Sequence, residues 1–148
     1  MGGNIIVDAN LKRSIILDNY QDARNRGIPN GEGYIKINSN NDSCIDNIDI
    51  YVKLNNDIIE DIKFEGEACV IAISSTSILS ELLIGKSITE ANLILENYYN
   101  MIEEREYNSD LLAECCVYDD IYKQPSRKTC VTLFARGMEK VINTKNNI

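Results

Sequence analysis

A segment of alternating apolar and polar residues in the middle of the chain limits the possible folds more than any other part of the sequence. Apolar and polar residues alternate over residues 48–54, the pattern of a strand with one buried face. Asn55-Asn56-Asp57 is a turn signal, and residues 58–64 follow with Ile62 and Phe64 in phase. The pattern predicts an antiparallel hairpin, with a further short strand near residues 34–37.

Helical segments lie on both sides of this hairpin. A first helix is predicted over about Ala9–Arg24, where Asp8 can cap it. A second spans about Cys69–Gly85, and a third follows a capping box formed by Ser87 and Glu90. The expected apolar stripe of the first helix consists of Leu11, Ile15, Ile16 and Tyr20.

The last third of the chain is also predicted to be helical. A short element is expected around Leu111–Ile121, and a final helix opens with Pro125 near its first turn. We find no repeat and no linker composition, so the 148 residues predict a single domain with residues 1–8 and 143–148 as flexible ends. The expected apolar face of the final helix consists of Cys130, Phe134, Met138, Val141 and Ile142.

Charge and hydropathy exclude several classes of function. A net charge of −8 argues against a nucleic-acid partner, which usually needs a basic face. No apolar run approaches the ~20 residues of a membrane span, and the amino terminus lacks the basic and apolar regions of a secretory signal. We therefore expect a cytoplasmic protein whose five cysteines are free thiols or metal ligands.

The placement of cysteines and one carboxylate carries the candidate chemistry. The chain has no histidine, so a metal site would be built from sulfur and oxygen. Cys44 and Asp46 are two positions apart before a strand, where extended backbone points both to the same side. Cys69 is near a helix start and Cys130 is three residues after Arg127, and both settings favour ionised sulfur. Their spacing alone is also compatible with an alternative, in which these cysteines are small hydrophobic side chains buried in the core.

The remaining two cysteines give a weaker signal. Cys115 and Cys116 are adjacent, so both side chains cannot easily face one metal. We predict that one is buried and the other incidental. Without histidine, neither a Ser-His-Asp nor a Cys-His catalytic pair is available.

Three cysteine contexts occur in the order found in U-type iron–sulfur assembly proteins. Ser43-Cys44-Ile45-Asp46 resembles that family's N-P-T-C-G-D loop, residues 64–69 its F-x-G-x-G-C segment, and residues 127–133 its R-x-x-C-A-T-L helix. Residues 11–25 resemble its opening helix. The lack of histidine and an extra stretch at about residues 104–123 are similar to the SufU branch.

The resemblance implies a fold, a metal site and a reaction. The implied fold is α+β, a three-stranded antiparallel sheet packed against about four or five helices. The implied site is a tetrahedral zinc bound by Cys44, Asp46, Cys69 and Cys130. In the implied reaction, Cys44 accepts persulfide sulfur from a PLP-dependent, SufS-like cysteine desulfurase, after a desulfurase histidine replaces it on zinc. Arg127 would stabilise the freed thiolate, with a surface ion pair as its alternative role, and downstream iron–sulfur assembly proteins would receive the sulfur.

Two other functions fit the same residues. The first is a scaffold that assembles and transfers a [2Fe–2S] cluster on these cysteines. The second is a structural zinc module without sulfur chemistry. Two positions depart from the family pattern, because Ile45 and Ala68 stand where it has glycine, and Ala68 would resist a positive φ if the turn needed one.

Overall fold

A computed structural model describes residues 8–42 and 45–146 of the chain, and these form an α+β fold. Within these residues, three strands make one antiparallel sheet in the order β1-β2-β3. The predicted fold class is confirmed, with six α-helices in the described residues where about four or five were expected. The elements are β1 (Tyr34–Asn40), β2 (Asn47–Asn55), β3 (Ile58–Glu67), α1 (Ala9–Gln21), α2 (Val70–Leu83), α3 (Ile88–Ile102), α4 (Ser109–Leu112), α5 (Lys128–Val131) and α6 (Leu133–Asn146).

The register of the sheet follows the predicted alternation. Ile50 lies opposite Phe64 and Val52 opposite Ile62, so that the apolar residues of β2 and β3 share one face. All four side chains are fully buried. A shift in register after Lys53 marks an irregularity near the turn, away from the end of the sheet where β1 joins β2.

Helix α6 lies very close to the sheet. A Cβ atom at Gly137 would lie 2.4 Å from Ile50 Cδ1, so a larger residue there would force the Ile50 side chain to move. Beside it, the Ser39 hydroxyl donates a buried hydrogen bond of 2.7 Å to the Leu133 carbonyl. These contacts fix the start of α6 against the ends of β1 and β2.

Buried hydroxyl groups on α2 bond the last turn of α1 and the residues that follow it. Ser77 Oγ donates to Asn19 Oδ1 at 2.7 Å and accepts the Arg24 N–H at 2.8 Å. Ser80 Oγ accepts from Asn25 Nδ2 at 3.0 Å. The serine-rich sequence of α2 is therefore buried without loss of hydrogen bonding.

The predicted capping of α1 is confirmed, but its apolar stripe is partly wrong. The Asp8 carboxylate accepts the Leu11 N–H at 2.8 Å. The helix ends at Gln21, and the Leu11 and Tyr20 side chains are exposed by 47% and 40%. Its buried side chain is Asn19, because α1 contacts α2 partly through hydrogen bonds to serine.

The predicted final helix is divided. A 3-10 turn at Pro125–Arg127 precedes α5, and Thr132 separates α5 from α6. The Thr132 hydroxyl donates to the Lys128 carbonyl at 2.7 Å, a local bond that competes with regular helix geometry. Residues 143–146 continue α6, whereas residues 1–7 and 147–148 lie outside the described part of the chain. Among the described helices, none has the length and apolar composition to cross a membrane.

Candidate metal centre

Three of the predicted ligands converge. One carboxylate oxygen of Asp46 and the sulfurs of Cys69 and Cys130 all lie within 4.8 Å of one another. Asp46 is buried, and both cysteines are half-buried. The fourth predicted ligand, Cys44, lies outside the described residues. The structure thus brings together side chains from the β1–β2 connection, the start of α2 and α5.

Asp46 is placed by the end of the β1–β2 hairpin. The Asn41 N–H donates to the Asp46 carbonyl at 3.0 Å, directly beyond the last ladder pair, Asn40 and Asn47. The Ile45 side chain is 72% exposed, whereas Asp46 is 1% exposed, so neighbouring residues face opposite ways. Asp46 is thus buried just before β2 begins at Asn47.

Cys69 is placed by a close approach of β3 to β2. Gly66 has φ +144°, and a Cβ atom there would lie 2.3 Å from the Asn47 carbonyl oxygen. The chain then reaches the α2 N-cap, where Cys69 Sγ accepts the Ala72 N–H at 3.5 Å. A helix N-terminus stabilises a thiolate at this position. The positive φ falls on Gly66 and not on Ala68, so the alanine is compatible with the turn.

Hydrogen bonds connect these two candidate ligands directly. The Cys69 N–H donates to Asp46 Oδ1 at 2.8 Å, and Cys69 Sγ lies 3.8 Å from Asp46 Oδ2. A tetrahedral zinc with bonds of ~2.0–2.3 Å separates its ligand atoms by about 3.3–3.8 Å. The observed separation of sulfur and oxygen therefore fits such an ion.

The electrostatics of the cluster favour a cation. Burial, followed by hydrogen bonds with Cys69 and Asp46, raises the pKa of the Cys130 thiol to about 12. Two unit charges at 4 Å near a protein surface repel by about 4 kcal/mol, so three anions here need a compensating charge. A divalent cation supplies that charge, and thiolate with carboxylate is a donor set that zinc accepts.

Two polar residues that the sequence analysis missed support Asp46. Asn41 Nδ2 donates to Asp46 Oδ2 at 3.1 Å and to the Thr129 carbonyl at 3.2 Å. Arg136 Nη2 donates to Asn41 Oδ1 at 2.5 Å and to the same Thr129 carbonyl at 2.7 Å. Thr129, Thr132 and Arg136 are spaced by three and four residues, a helical-face signal that could have indicated this cluster.

The other candidate residues lie apart from this network. Within residues 8–42 and 45–146, the exposed Arg127 side chain makes no hydrogen bond or ion pair. Cys115 is 1% exposed, and burial raises the pKa of its thiol. Cys116 is half-buried, with its sulfur 3.6 Å from the Ser109 carbonyl oxygen. The prediction of one buried cysteine in this pair is confirmed.

Comparison with known proteins identifies the family. Residues 11–131 match the model of the NifU-like N terminal domain. The chain belongs to the NifU-like N-terminal domain family. By family it is therefore a U-type protein of iron–sulfur cluster assembly.

The relatives include proteins of two activities. The chain is 35% identical over 131 residues to the zinc-dependent sulfurtransferase SufU of Bacillus subtilis, covering 88% of each chain. It is 29% identical over 138 residues to the iron–sulfur cluster assembly scaffold protein IscU of Streptococcus pyogenes, covering 93% of this chain and 86% of that one. A crystal structure from Fervidobacterium islandicum, described as an iron–sulfur cluster assembly scaffold protein for the SUF system, superposes with a TM-score of 0.75 at 29% identity, covering 84% of this chain and 91% of that one.

Proposed function

We propose that this chain accepts sulfur from a persulfide on a PLP-dependent cysteine desulfurase, and that Cys44, Asp46, Cys69 and Cys130 hold a zinc ion for that task. The observation that carries the proposal is the approach of the Asp46, Cys69 and Cys130 donor atoms to within 4.8 Å of one another. The similarity to a zinc-dependent sulfurtransferase from Bacillus subtilis supports the same activity.

Covalent geometry supports Cys44 as the fourth ligand. Cys44 precedes Asp46 by two residues. Consecutive Cα atoms are ~3.8 Å apart, so the Cα atoms of these residues are at most about 7 Å apart. A sulfur at that position can reach the side of the Asp46 carboxylate. The full set would then be three sulfurs and one oxygen, a closed tetrahedral site.

The ligands have different tasks in this proposal. Bound zinc would keep the thiols ionised at neutral pH and would supply no redox chemistry. Cys69 is anchored at both its N–H and its sulfur, so it serves as a fixed ligand. Asp46 is buried and hydrogen-bonded through both carboxylate oxygens, and it contributes a fixed anionic oxygen. Cys130 is half-buried in α5 and completes the anchored set.

Cys44 is the proposed sulfur acceptor. Its neighbour Ile45 is 72% exposed, which supports an acceptor that another protein can reach. The Cys44 thiolate attacks the outer sulfur of the desulfurase persulfide. One S–S bond forms on Cys44 as the desulfurase S–S bond breaks, and the desulfurase cysteine leaves as a thiolate. The exchange has no net oxidation, and the transferred sulfur passes on to downstream iron–sulfur assembly proteins.

Arg127 is proposed to stabilise the anionic sulfur during transfer. The residue is three positions before Cys130, and its side chain is exposed. Its guanidinium group has no hydrogen bond or ion pair within the described part of the chain, and so it is available to an incoming anion. Replacement by alanine should slow sulfur acceptance without changing the zinc content.

The test combines metal analysis with transfer of sulfur from the desulfurase. The chain purified without added metal should be colourless and contain one zinc ion, and it should increase desulfurase turnover. Cys44→Ala should abolish the gain of one sulfur atom seen by mass spectrometry. Cys116→Ala is the matched control, because Cys116 lies outside the cluster. If Cys44→Ala accepts sulfur at the rate of the unsubstituted protein, the assignment of the acceptor is wrong.

A cluster scaffold is the second candidate function. The similarity to the Streptococcus pyogenes scaffold protein supports it, and three thiolates with one carboxylate can hold a [2Fe–2S] cluster as cargo. In that case the purified protein should be brown, with visible absorption that bleaches on reduction. A structural zinc module would instead leave desulfurase turnover unchanged.

A further inference from the structure

The orientation of the Asn41 side chain is dictated by Arg136. A guanidinium group can only donate hydrogen bonds, and Arg136 Nη2 lies 2.5 Å from one terminal atom of the Asn41 amide. That atom must therefore be the oxygen. The amide nitrogen then faces Asp46 Oδ2, at 3.1 Å, and donates to it. Because a guanidinium group offers only donors, this orientation holds as long as the two side chains stay in contact.

The Asp46 carboxylate is consequently held at both oxygens. Oδ1 accepts the Cys69 N–H at 2.8 Å, and Oδ2 accepts from Asn41. Each carboxylate oxygen has two lone pairs, so one donor on each oxygen leaves capacity to bind a cation. The carboxylate cannot rotate toward other partners without losing one of these bonds.

Arg136 also bonds residues on both sides of Cys130, at the Thr129 backbone carbonyl and at the Thr132 side-chain hydroxyl. Its Nη2 donates to the Thr129 carbonyl at 2.7 Å, and its Nε donates to Thr132 Oγ1 at 3.3 Å. Thr129 and Thr132 flank Cys130 in sequence. The Arg136 side chain on α6 thus connects α5, which carries Cys130, to the β1–β2 connection, which carries Asp46.

We propose that Arg136 and Asn41 form a positioning pair, in which Arg136 orients the Asn41 amide and Asn41 holds the Asp46 carboxylate toward the sulfurs. The inference rests on the proposed zinc site and adds the residues that set its affinity. Neither residue is a metal ligand. Both act through Asp46 and through the backbone next to Cys130.

Asn41→Asp separates this role from simple packing. An aspartate keeps an acceptor for Arg136 but removes the donor to Asp46 and places a second carboxylate beside it. Arg136→Ala removes the orienting group, and Arg136→Lys keeps the charge while losing the planar set of donors. Arg105→Ala is the matched control, because Arg105 also donates to an asparagine side chain, that of Asn100 at 3.1 Å, but at an exposed position outside the cluster.

Metal affinity is the first measurement. Loss of a residue that supports a ligand typically weakens metal binding by about 10–100-fold. We expect Asn41→Asp and Arg136→Ala to weaken Zn²⁺ binding, measured by chelator competition, by that amount. The visible spectrum of the Co²⁺-substituted protein should change with them. Arg136→Lys should fall between these variants and the unsubstituted protein, and Arg105→Ala should have no effect.

Amide hydrogen exchange in the metal-free protein is the second measurement. The Cys69 N–H is protected by Asp46, so it should exchange roughly tenfold faster once Asp46 is released in Asn41→Asp and Arg136→Ala. Arg105→Ala should leave this rate unchanged. Unchanged Cys69 exchange and zinc affinity in Asn41→Asp would overturn the inference. If the variants show both effects but the unsubstituted protein does not accept persulfide sulfur, the proposed function is wrong and the inferred role of Arg136 and Asn41 still holds.

Discussion

Replacing Gly66 by alanine should destabilise the protein more than the same change at any open glycine with a similar backbone. Gly66 has φ +144°, and the new Cβ would lie 2.3 Å from the Asn47 carbonyl oxygen and 2.8 Å from Ile48 Cα. Backbone strain in this region costs about 1–3 kcal/mol, and forcing a methyl group into a packed site costs about 1–3 kcal/mol more. We therefore expect Gly66→Ala to lower the free energy of unfolding by about 4 kcal/mol, near the middle of the summed range.

Gly27→Ala is the matched control. Gly27 has φ +133°, but nothing lies within 4 Å of the position that its Cβ would take, so only the strain applies. The effect of a glycine-to-alanine change on the unfolded chain is shared by both variants and cancels in their difference. Gly66→Ala should thus be less stable than Gly27→Ala by about 2 kcal/mol, which is the packing contribution alone.

Urea unfolding in the presence of a chelator measures this difference. The chelator removes the stabilisation that bound metal would add. The urea midpoint of Gly66→Ala should fall below that of Gly27→Ala. The slope of unfolding free energy against urea concentration should be the same for both, since both expose the same surface on unfolding. Equal unfolding free energies for the two variants would refute the close approach of β3 to β2 beside Asp46.

Three further substitutions test separate features of the fold and site. Ser77→Ala removes the hydroxyl that bonds Asn19 and the Arg24 N–H, leaving buried polar groups unpaired, and should lower the unfolding free energy by about 1–3 kcal/mol in urea. Ser87→Ala removes the N-cap of α3 and should cost about 1 kcal/mol, seen as a lower thermal midpoint with unchanged zinc content. Cys116→Ser should leave the zinc content measured by atomic absorption at the level of the unsubstituted protein, because this sulfur lies outside the cluster; a lower content would contradict the ligand assignment.

Local patterns were sufficient to predict most of the fold. The hairpin follows from strict alternation, which is confirmed by the pairing of Ile50 with Phe64. The capping box of α3 is confirmed because Ser87 and Glu90 act within one helical turn. The division of the final helix at Thr132 was not predicted, since it depends on a side-chain bond to the Lys128 carbonyl.

The candidate site was predictable only in part. The three candidate ligands that the structure brings together were predicted from residue type and from the family resemblance. Asn41 and Arg136 were missed because their roles depend on a contact between the β1–β2 connection and α6. The two residues are 95 positions apart in sequence. Arginine near a helix end usually indicates a solvated surface group, and the spacing of Thr129, Thr132 and Arg136 indicates a shared helix face but not the residue that this face contacts across the fold.

The absence of histidine from the chain has a practical consequence for spectroscopy. Every candidate donor described above is sulfur or oxygen, and the sequence contains no imidazole at all. A nitrogen signal of the imidazole type in the spectrum of a paramagnetic ion at this centre must therefore originate from a bound protein. An imidazole signal that appears when the cobalt-loaded chain is mixed with a candidate partner would show that a partner histidine binds the ion. The chain itself would contribute no such signal.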